Sequence, residues 1–553
     1  MDFSVSISVK PSEENDFDLI QKFVLLAAKN SSPQIVRVFF DGRDSIPEKI
    51  EKSDCIAVFE KKSIDARHGK VKILLRYRIF AGEKPQEQNA LPLWKTAHGS
   101  HSVIIVGSGP AGLFAALRLL EAGVKPVIVE RGERADERTA SVKNLCEAGT
   151  LNAESNFCFG EGGAGTFSDG KLYTRSTKRG DISKIYRIFV EFGADERIMT
   201  DAHPHIGTDR LPSIIRAIRE KIISLGGEFL FKTKCVDFIL DEPNVKTLDE
   251  KKKIRGIVVE KDGERREIFG DAVILATGHS AIDIYSLIAR VSPNSIEAKT
   301  FAVGVRVEHP RALIDAIQFH GKMTSSAAEY RLTTQIDSRG VYSFCMCPGG
   351  SVVPCATAEN QIVVNGMSAA ARNGAWSNSA IVVETRPDDI PEEFLKKAEE
   401  IGSRALLGLL WRTHLEEETA KRGSGQNAPS QRLTDFLLHQ FSDSLPPTSY
   451  APGLVSSRLD EWLPKSISLR LQAAFGEFEK SMKGFVTQEA VLIASETRTS
   501  TPVRILRDKE SLESIGIARL YPSGEGAGYS GGIGSSAMDG ERVAAKVLEN
   551  IMG

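Results

Sequence analysis

The chain has 553 residues, a formal net charge of −2, and a composition that is 41% hydrophobic and 26% charged. This describes a globular protein of about three domains, and it excludes a disordered chain, a strongly basic nucleic-acid binder and, with no apolar run near the ~20 residues a bilayer requires, a helical membrane protein. Seven cysteines, an odd number, do not read as a disulfide framework, and the start MDFSVSISVK lacks the basic and apolar regions of a secretory signal, so a reducing, cytoplasmic location is expected.

Residues 1–98 read as a small α+β domain. Phe3, Val5, Ile7 and Val9 alternate with polar residues, the pattern of a strand with one buried face. Asp16 is a candidate N-cap for a helix carrying Leu19, Ile20, Phe23 and Val24. Ile35 to Phe40 predicts a second strand, and Val71, Ile73, Leu75, Tyr77 and Ile79 predict another. The stretch from Ala81 to Ser100, with Gly, Pro and polar residues, reads as a linker.

Residues 99–280 begin with the most informative segment. Ser102 to Val106 is an apolar run typical of a buried parallel strand. Gly107-Ser108-Gly109-Pro110-Ala111-Gly112 follows, then a helix to Gly123 with Leu113, Ala116, Leu117 and Leu120 on one face. Pro126 to Val129 is a second strand ending at Glu130 and Arg131. This order is the dinucleotide-binding βαβ unit, with its acidic residue roughly twenty positions on. Gly107 serves the tight turn, Gly109 lets backbone approach a pyrophosphate, and Gly112 lets helix and strand pack closely. The helix N-terminus offers free N–H groups and a positive dipole end. Glu130 is expected to accept hydrogen bonds from ribose hydroxyls.

Further on, Phe159 to Lys171 is rich in glycine, a helix is predicted around Ser213 to Leu225, and Glu228 to Leu240 reads as a strand pair centred on Thr233-Lys234-Cys235-Val236. Lys251-Lys252-Lys253 reads as a solvated loop, and Asp271 to Gly278 as an apolar strand ending in Ala276-Thr277-Gly278. Between 281 and 490 the βα alternation is lost, which predicts an inserted, mostly β domain. The last part, 491–553, is expected to return to the nucleotide domain through a strand at Val491 to Ala494, the Gly524-Glu525 turn and a closing helix.

Three separated stretches carry a resemblance. Gly107 to Glu130, the strand ending in Ala276-Thr277-Gly278, and Leu520 to Gly526 followed by Gly531-Gly532-Ile533-Gly534 and a helix resemble the nucleotide contacts of glutathione reductase-type flavoproteins. The runs at 159–171, 345–350 and 497–504 are similar to those of a family of FAD-dependent dehydrogenases. The resemblance implies an α/β fold: a Rossmann-like FAD-binding domain with an inserted substrate domain. It implies FAD as cofactor and an oxidoreductase moving a hydride between flavin N5 and an unidentified small molecule. It also implies cofactor contacts from Gly162, Gly163, Ala164, Gly165 and Thr166, from Cys235 and Val236, and from Gly524 and Glu525. Gly531, Gly532 and Ile533 would aim helix N–H groups at a reduced flavin. Glu525 stands where the pattern usually has Asp.

Lys171, Asp169 and Arg498 are the candidate catalytic residues. Lys171 near the flavin would polarise a substrate. The Asp169 and Lys171 pair reads equally as a surface salt bridge. Arg498 loosely matches an arginine that pairs a substrate carboxylate, and reads equally as a structural bridge between domains. Cys345, Cys347 and Cys355, with Cys158 as a fourth, are open as a redox dithiol, as metal ligands or as buried free thiols, and no metal is expected. His279 reads as a structural histidine beside the cofactor, with proton transfer as the alternative. No second Gly-rich unit is present, so either NAD(P)H docks transiently or electrons come from substrate or another protein. A flavin-dependent RNA-modification protein is the alternative, disfavoured by the near-neutral charge. A flavoprotein that captures a protein partner through the N-terminal domain is another.

Overall fold

The structure, a computed structural model, describes residues 2–85, 91–174, 180–241, 251–321 and 326–553. In the N-terminal domain the strands Asp2–Val9, Lys72–Ala81, Asp54–Asp65 and Arg37–Phe40 form one sheet in that order. The helix Phe17–Ser31 packs on it and starts at Asp16, whose carboxylate accepts from Leu19 N. The longest strand, Asp54–Asp65, was not expected. Its register shifts between Phe59 and Lys61, and a bulge there breaks the two-residue alternation that marks a strand. Lys62 N donates to Thr200 O and Ala202 N to Lys62 O, both at 2.9 Å, which stitches this domain to the next.

The nucleotide lobe is doubly wound. Its parallel sheet runs Leu520–Pro522, Ala272–Leu275, Ser102–Val106, Lys125–Val129, Glu228–Leu230. On one face the helices Pro110–Glu121, Leu211–Ser224 and Ile533–Met552 bury Leu113, Leu117, Ile218, Ala537 and Val543. On the other face lies a second sheet that includes Lys234–Leu240, Lys252–Lys261 and Glu264–Phe269. Lys252 and Lys253 therefore open a strand and pair with Ile517 and Ala518, in place of the expected loop. The helix Ile282–Val291 also belongs here, with Tyr285 and Ile288 buried among Val273 and Leu275.

The inserted lobe is built on a seven-stranded sheet ordered Thr333–Ile336, Arg339–Cys347, Trp376–Thr385, Phe301–Pro310, Val491–Glu496, Ala428–Arg432, Leu454–Ser456. Two expectations are corrected. Val491–Glu496 stays in this sheet, between Phe301–Pro310 and Ala428–Arg432, and does not return to the nucleotide domain. The lobe is also mixed rather than mostly β. The helices Leu407–Arg422 and Lys465–Ser481 supply much of its core through Trp411, Leu415, Leu471, Phe475 and Phe478. Between the lobes Ile296–Ala298 pairs antiparallel with Val503–Ile505, so the chain's outward and return passages run side by side. Among the described residues no helix is long and apolar enough to cross a membrane.

Candidate functional site

A cavity of about 790 Å³ runs from the first βα turn of the nucleotide lobe to the inner edge of the inserted lobe. Its near end is a glycine cradle. Gly107 turns at φ 103°, and a Cβ there would collide with Ala276 O. Gly109 and Gly163 face each other so closely that a Cβ on Gly163 would lie 3.2 Å from Gly109 Cα. A Cβ on Gly112 would strike Gly107 O, so that glycine serves the packing of helix on turn. Gly109 is also the N-cap of Pro110–Glu121, which leaves the helix N-terminus beside the cavity.

Glu130 holds this cradle together. One carboxylate oxygen accepts from Ser108 N at 2.9 Å and Ser108 Oγ at 2.7 Å. The other accepts from Gly132 N at 3.0 Å and Gly160 N at 3.1 Å. Four donors use the acceptor capacity of a carboxylate, so in this structure Glu130 joins three loops, where a ribose contact was expected. Behind it the fully buried Arg138 donates to the carbonyls of Asn156, Phe157 and Glu161 at 2.8, 3.0 and 2.7 Å, and so shapes the glycine-rich loop. Arg131 lies over the Phe159 ring at 4.1 Å and pairs with Glu154 at 2.6 Å.

The opposite wall comes from the chain's last segment. Gly531, Gly532 and Ile533 line the cavity at the N-terminus of Ile533–Met552, with Gly532 as the N-cap at φ 138°. Gly524 N donates to Asp539 at 2.8 Å, and Arg507 pairs with Asp539 at 2.6 Å, so the turn is fixed to its own helix. Burial lifts the Glu525 carboxyl to about 7, against the pull of Lys299.

At the far end Lys171, Asp169, Arg372 and Glu329 converge from both lobes. Lys171 Nζ is 3.1 Å from Asp169 and also donates to Met346 O. Arg372 reaches Asp169 at 2.8 Å and Glu329 at 2.5 Å. Burial alone would raise the Asp169 carboxyl, but Lys171 and Arg372 hold it below the carboxylate range. Burial disfavours the Lys171 ammonium, and the Asp169 carboxylate 3.1 Å away holds it in the charged form. Asp169 is thus a fixed anion and Lys171 a fixed cation, suited to electrostatic work and not to proton transfer at neutral pH.

Arg498 lines the cavity but is fully engaged. Its Nε and Nη2 contact the two oxygens of buried Glu416 at 2.9 and 2.8 Å, and Nη2 also meets Thr357 and Gln361. This corrects its reading as a ligand for a substrate carboxylate: the guanidinium fork is closed by Glu416, and Arg498 bridges segments of the molecule. His279 Nε2 lies 2.8 Å from Arg498 O, and burial lowers its pKa to about 4, so the imidazole stays neutral and donates that bond.

The cavity gathers most of the residues singled out in the sequence. Gly107, Gly109, Pro110, Ala111, Glu130 and Arg131 line it, as do Gly163, Ala164, Gly165, Asp169, Lys171 and Cys235. Ala276, Thr277, Gly278, Arg498, Gly524, Glu525, Gly531, Gly532 and Ile533 complete that set. Ser108, Gly112, Gly162, Thr166 and Val236 lie outside the lining. Ser108 serves Glu130, Thr166 Oγ1 donates to Glu161 O at 2.7 Å, and Val236 is the bulged residue between Cys235 and Asp237. Arg138, Glu329 and Arg372 had no local signal, because each acts through partners distant in the chain. Cys355 sits with Cys158 rather than with Cys345 and Cys347, and all seven cysteines are free.

Residues 101–303 match the family model described as pyridine nucleotide-disulphide oxidoreductase, and residues 300–499 match FAD-dependent protein, C-terminal domain-like. The chain is 42% identical over 454 residues to an uncharacterized protein of Clostridium beijerinckii, a span of 81% of this chain and 80% of that one. Among solved structures, it is similar to a triple mutant of the flavin-dependent brominase Bmp2, at 12% identity and TM-score 0.34 over 82% of this chain and 81% of that one. A flavocytochrome c3 fumarate reductase gives 13% and 0.33 over 85% and 82%. A flavoprotein/dehydrogenase of Cytophaga hutchinsonii gives 13% and 0.32 over 81% and 79%. Scores this low transfer no reaction to the chain.

Proposed function

The chain belongs to the FAD-dependent protein family, and from that premise we propose that it is an oxidoreductase passing a hydride between flavin N5 and a small organic substrate. The observation that carries this reading is one continuous cavity, with a glycine cradle and two helix N-termini at one end and a fixed charged cluster at the other. Bound FAD supplies the two-electron chemistry, and the protein supplies binding, orientation and charge.

The Gly107–Gly112 turn and the N-terminus of Pro110–Glu121 would hold the pyrophosphate, with Gly163 to Gly165 against the same ligand. The N–H groups of Gly531, Gly532 and Ile533 would meet negative charge on the reduced ring, an effect of about 1–2 kcal/mol at a partly buried helix end. Lys171, kept charged by Asp169, would bind an anionic group or polarise a carbonyl of the substrate. A reduced nicotinamide docking without its own βαβ fingerprint is the electron donor we favour for the first test.

Gentle denaturation of purified protein should release FAD in a one-to-one ratio, and an anaerobic screen with NADH, NADPH and a metabolite panel should find a reductant that bleaches the flavin spectrum. Protein that neither releases nor takes up FAD ends the reading. FAD that no reductant in the screen bleaches ends the hydride-transfer part of it.

A further inference from the structure

Cys158 and Cys355 lie 197 positions apart in the chain and meet at the cavity wall. Cys158, half-buried, lines the cavity just ahead of the glycine-rich loop, and Cys355, from the inserted lobe, is buried beside it. Cys158 Sγ lies 3.6 Å from Cys355 O, which sets the two cysteines side by side. Arg498 Nη1 stands 3.7 Å from the same sulfur. Arg412, fully buried and with none of its guanidinium nitrogens hydrogen-bonded, lies 3.7 Å from Glu416, so the two guanidiniums of Arg412 and Arg498 share that one carboxylate.

We propose that Cys158 and Cys355 form a peroxide-reactive thiol pair, with Cys158 the attacking sulfur and Cys355 the resolving one. An accessible thiolate beside a cation, backed by a second thiol, is the arrangement that oxidises selectively and reversibly. Cys355 beside it, together with Arg498 and Ser280, draws the Cys158 thiol below its ordinary range against the effect of burial. Cys55, Cys146, Cys235, Cys345 and Cys347 are all pushed up, chiefly by burial.

The chemistry balances with a hydroperoxide as oxidant. Cys158 thiolate attacks the terminal peroxide oxygen and the O–O bond breaks. A sulfenic acid forms on Cys158 and an alkoxide or hydroxide leaves, taking a proton from water. The Cys355 sulfur then attacks Cys158, its thiol proton and the sulfenic hydroxyl leave as water, and a Cys158–Cys355 disulfide remains. Two electrons pass from the sulfurs to the peroxide, and two equivalents of a small-molecule thiol restore the pair by successive exchange, leaving as their own disulfide. The site stands on the cavity wall alone and does not depend on which substrate the flavin reduces or oxidises.

The test treats reduced, full-length holoprotein with stoichiometric hydrogen peroxide, blocks free thiols at timed intervals and maps peptides by mass. The expected result is a peptide cross-linked through Cys158 and Cys355, formed roughly tenfold faster than oxidation of the exposed Cys345. Cys355→Ser should stop at a sulfenic acid on Cys158 that dimedone traps. Cys158→Ser should give neither product. Wild-type protein in which Cys345 oxidises first, or in which no link between 158 and 355 appears, overturns the proposal even if both variants fail to fold. So does a Cys355→Ser protein that folds and gives no dimedone adduct at Cys158.

Discussion

Single residues in this molecule divide by whether the backbone or the ligand space needs them. Gly109 has φ −71°, which any residue adopts, and a Cβ there would make only ordinary contact with Gly163 at 3.8 Å. Gly109→Val is therefore expected to fold and to place its branched methyls in the cradle. Its far-UV circular dichroism should match wild type while the purified protein is colourless; a yellow variant at full FAD stoichiometry refutes the cradle. His309 shows a different residue-scale effect. It is fully buried, with Nε2 2.8 Å from Phe485 O, and burial lowers its pKa to about 4 from an ordinary value of 6.5. The unfolded chain takes up this proton at higher pH than the folded one. Stability is therefore complete above pH 6.5 and is lost as pH falls toward 4, by about 3 kcal/mol for a shift of this size. Urea unfolding of His309→Asn across that window should show a shallower decline than wild type, whatever its absolute stability. Identical declines would show that His309 does not contribute.

At the level of elements, the decisive contact is helix on helix. Ile533–Met552 crosses Pro110–Glu121 so closely that a Cβ on Gly540 would collide with Ala111 O. Gly540→Val should force the two helices apart and displace both N-termini from the cavity. Overpacking of this kind costs ~1–3 kcal/mol or more, and FAD affinity should fall with it, measured by fluorescence titration; unchanged affinity would show that the helix pair does not set the cradle. This scale also explains what was legible in the sequence. Ser102–Val106 and its helix were readable because a strand buried on both faces is a continuous apolar run and glycines mark the turn after it. Asp54–Asp65 was missed because a bulge interrupts its alternation. Val491–Glu496 was read as a strand but given to the wrong sheet, since apolar side chains report burial and not the neighbour. Lys465–Ser481 carried a helical signal in Ile467, Leu471, Ala474 and Phe478, overlooked beside the flanking strands. In the site, contiguous glycines announced themselves. Asp169 was singled out but its partners Glu329 and Arg372 were not, and Cys158 and Cys355 were noted only within a group of four cysteines, because the members of each cluster converge from separate lobes.

For the whole molecule, a cavity walled by both lobes ties cofactor occupancy to global stability. A ligand that binds only the folded chain stabilises it, so removing FAD should lower the thermal midpoint, and adding FAD back at 100 times its dissociation constant should recover about 2.7 kcal/mol. Differential scanning calorimetry of stripped and reloaded protein would show this as a midpoint that rises with FAD concentration. A midpoint indifferent to FAD would mean that the folded chain does not bind it.

The antiparallel pair formed by Ile296–Ala298 and Val503–Ile505 has one more consequence. Backbone hydrogen bonds fix the outward and return crossings against each other, so neither can slide along its neighbour without breaking the pairing, and an insertion in either strand would shift the register of both.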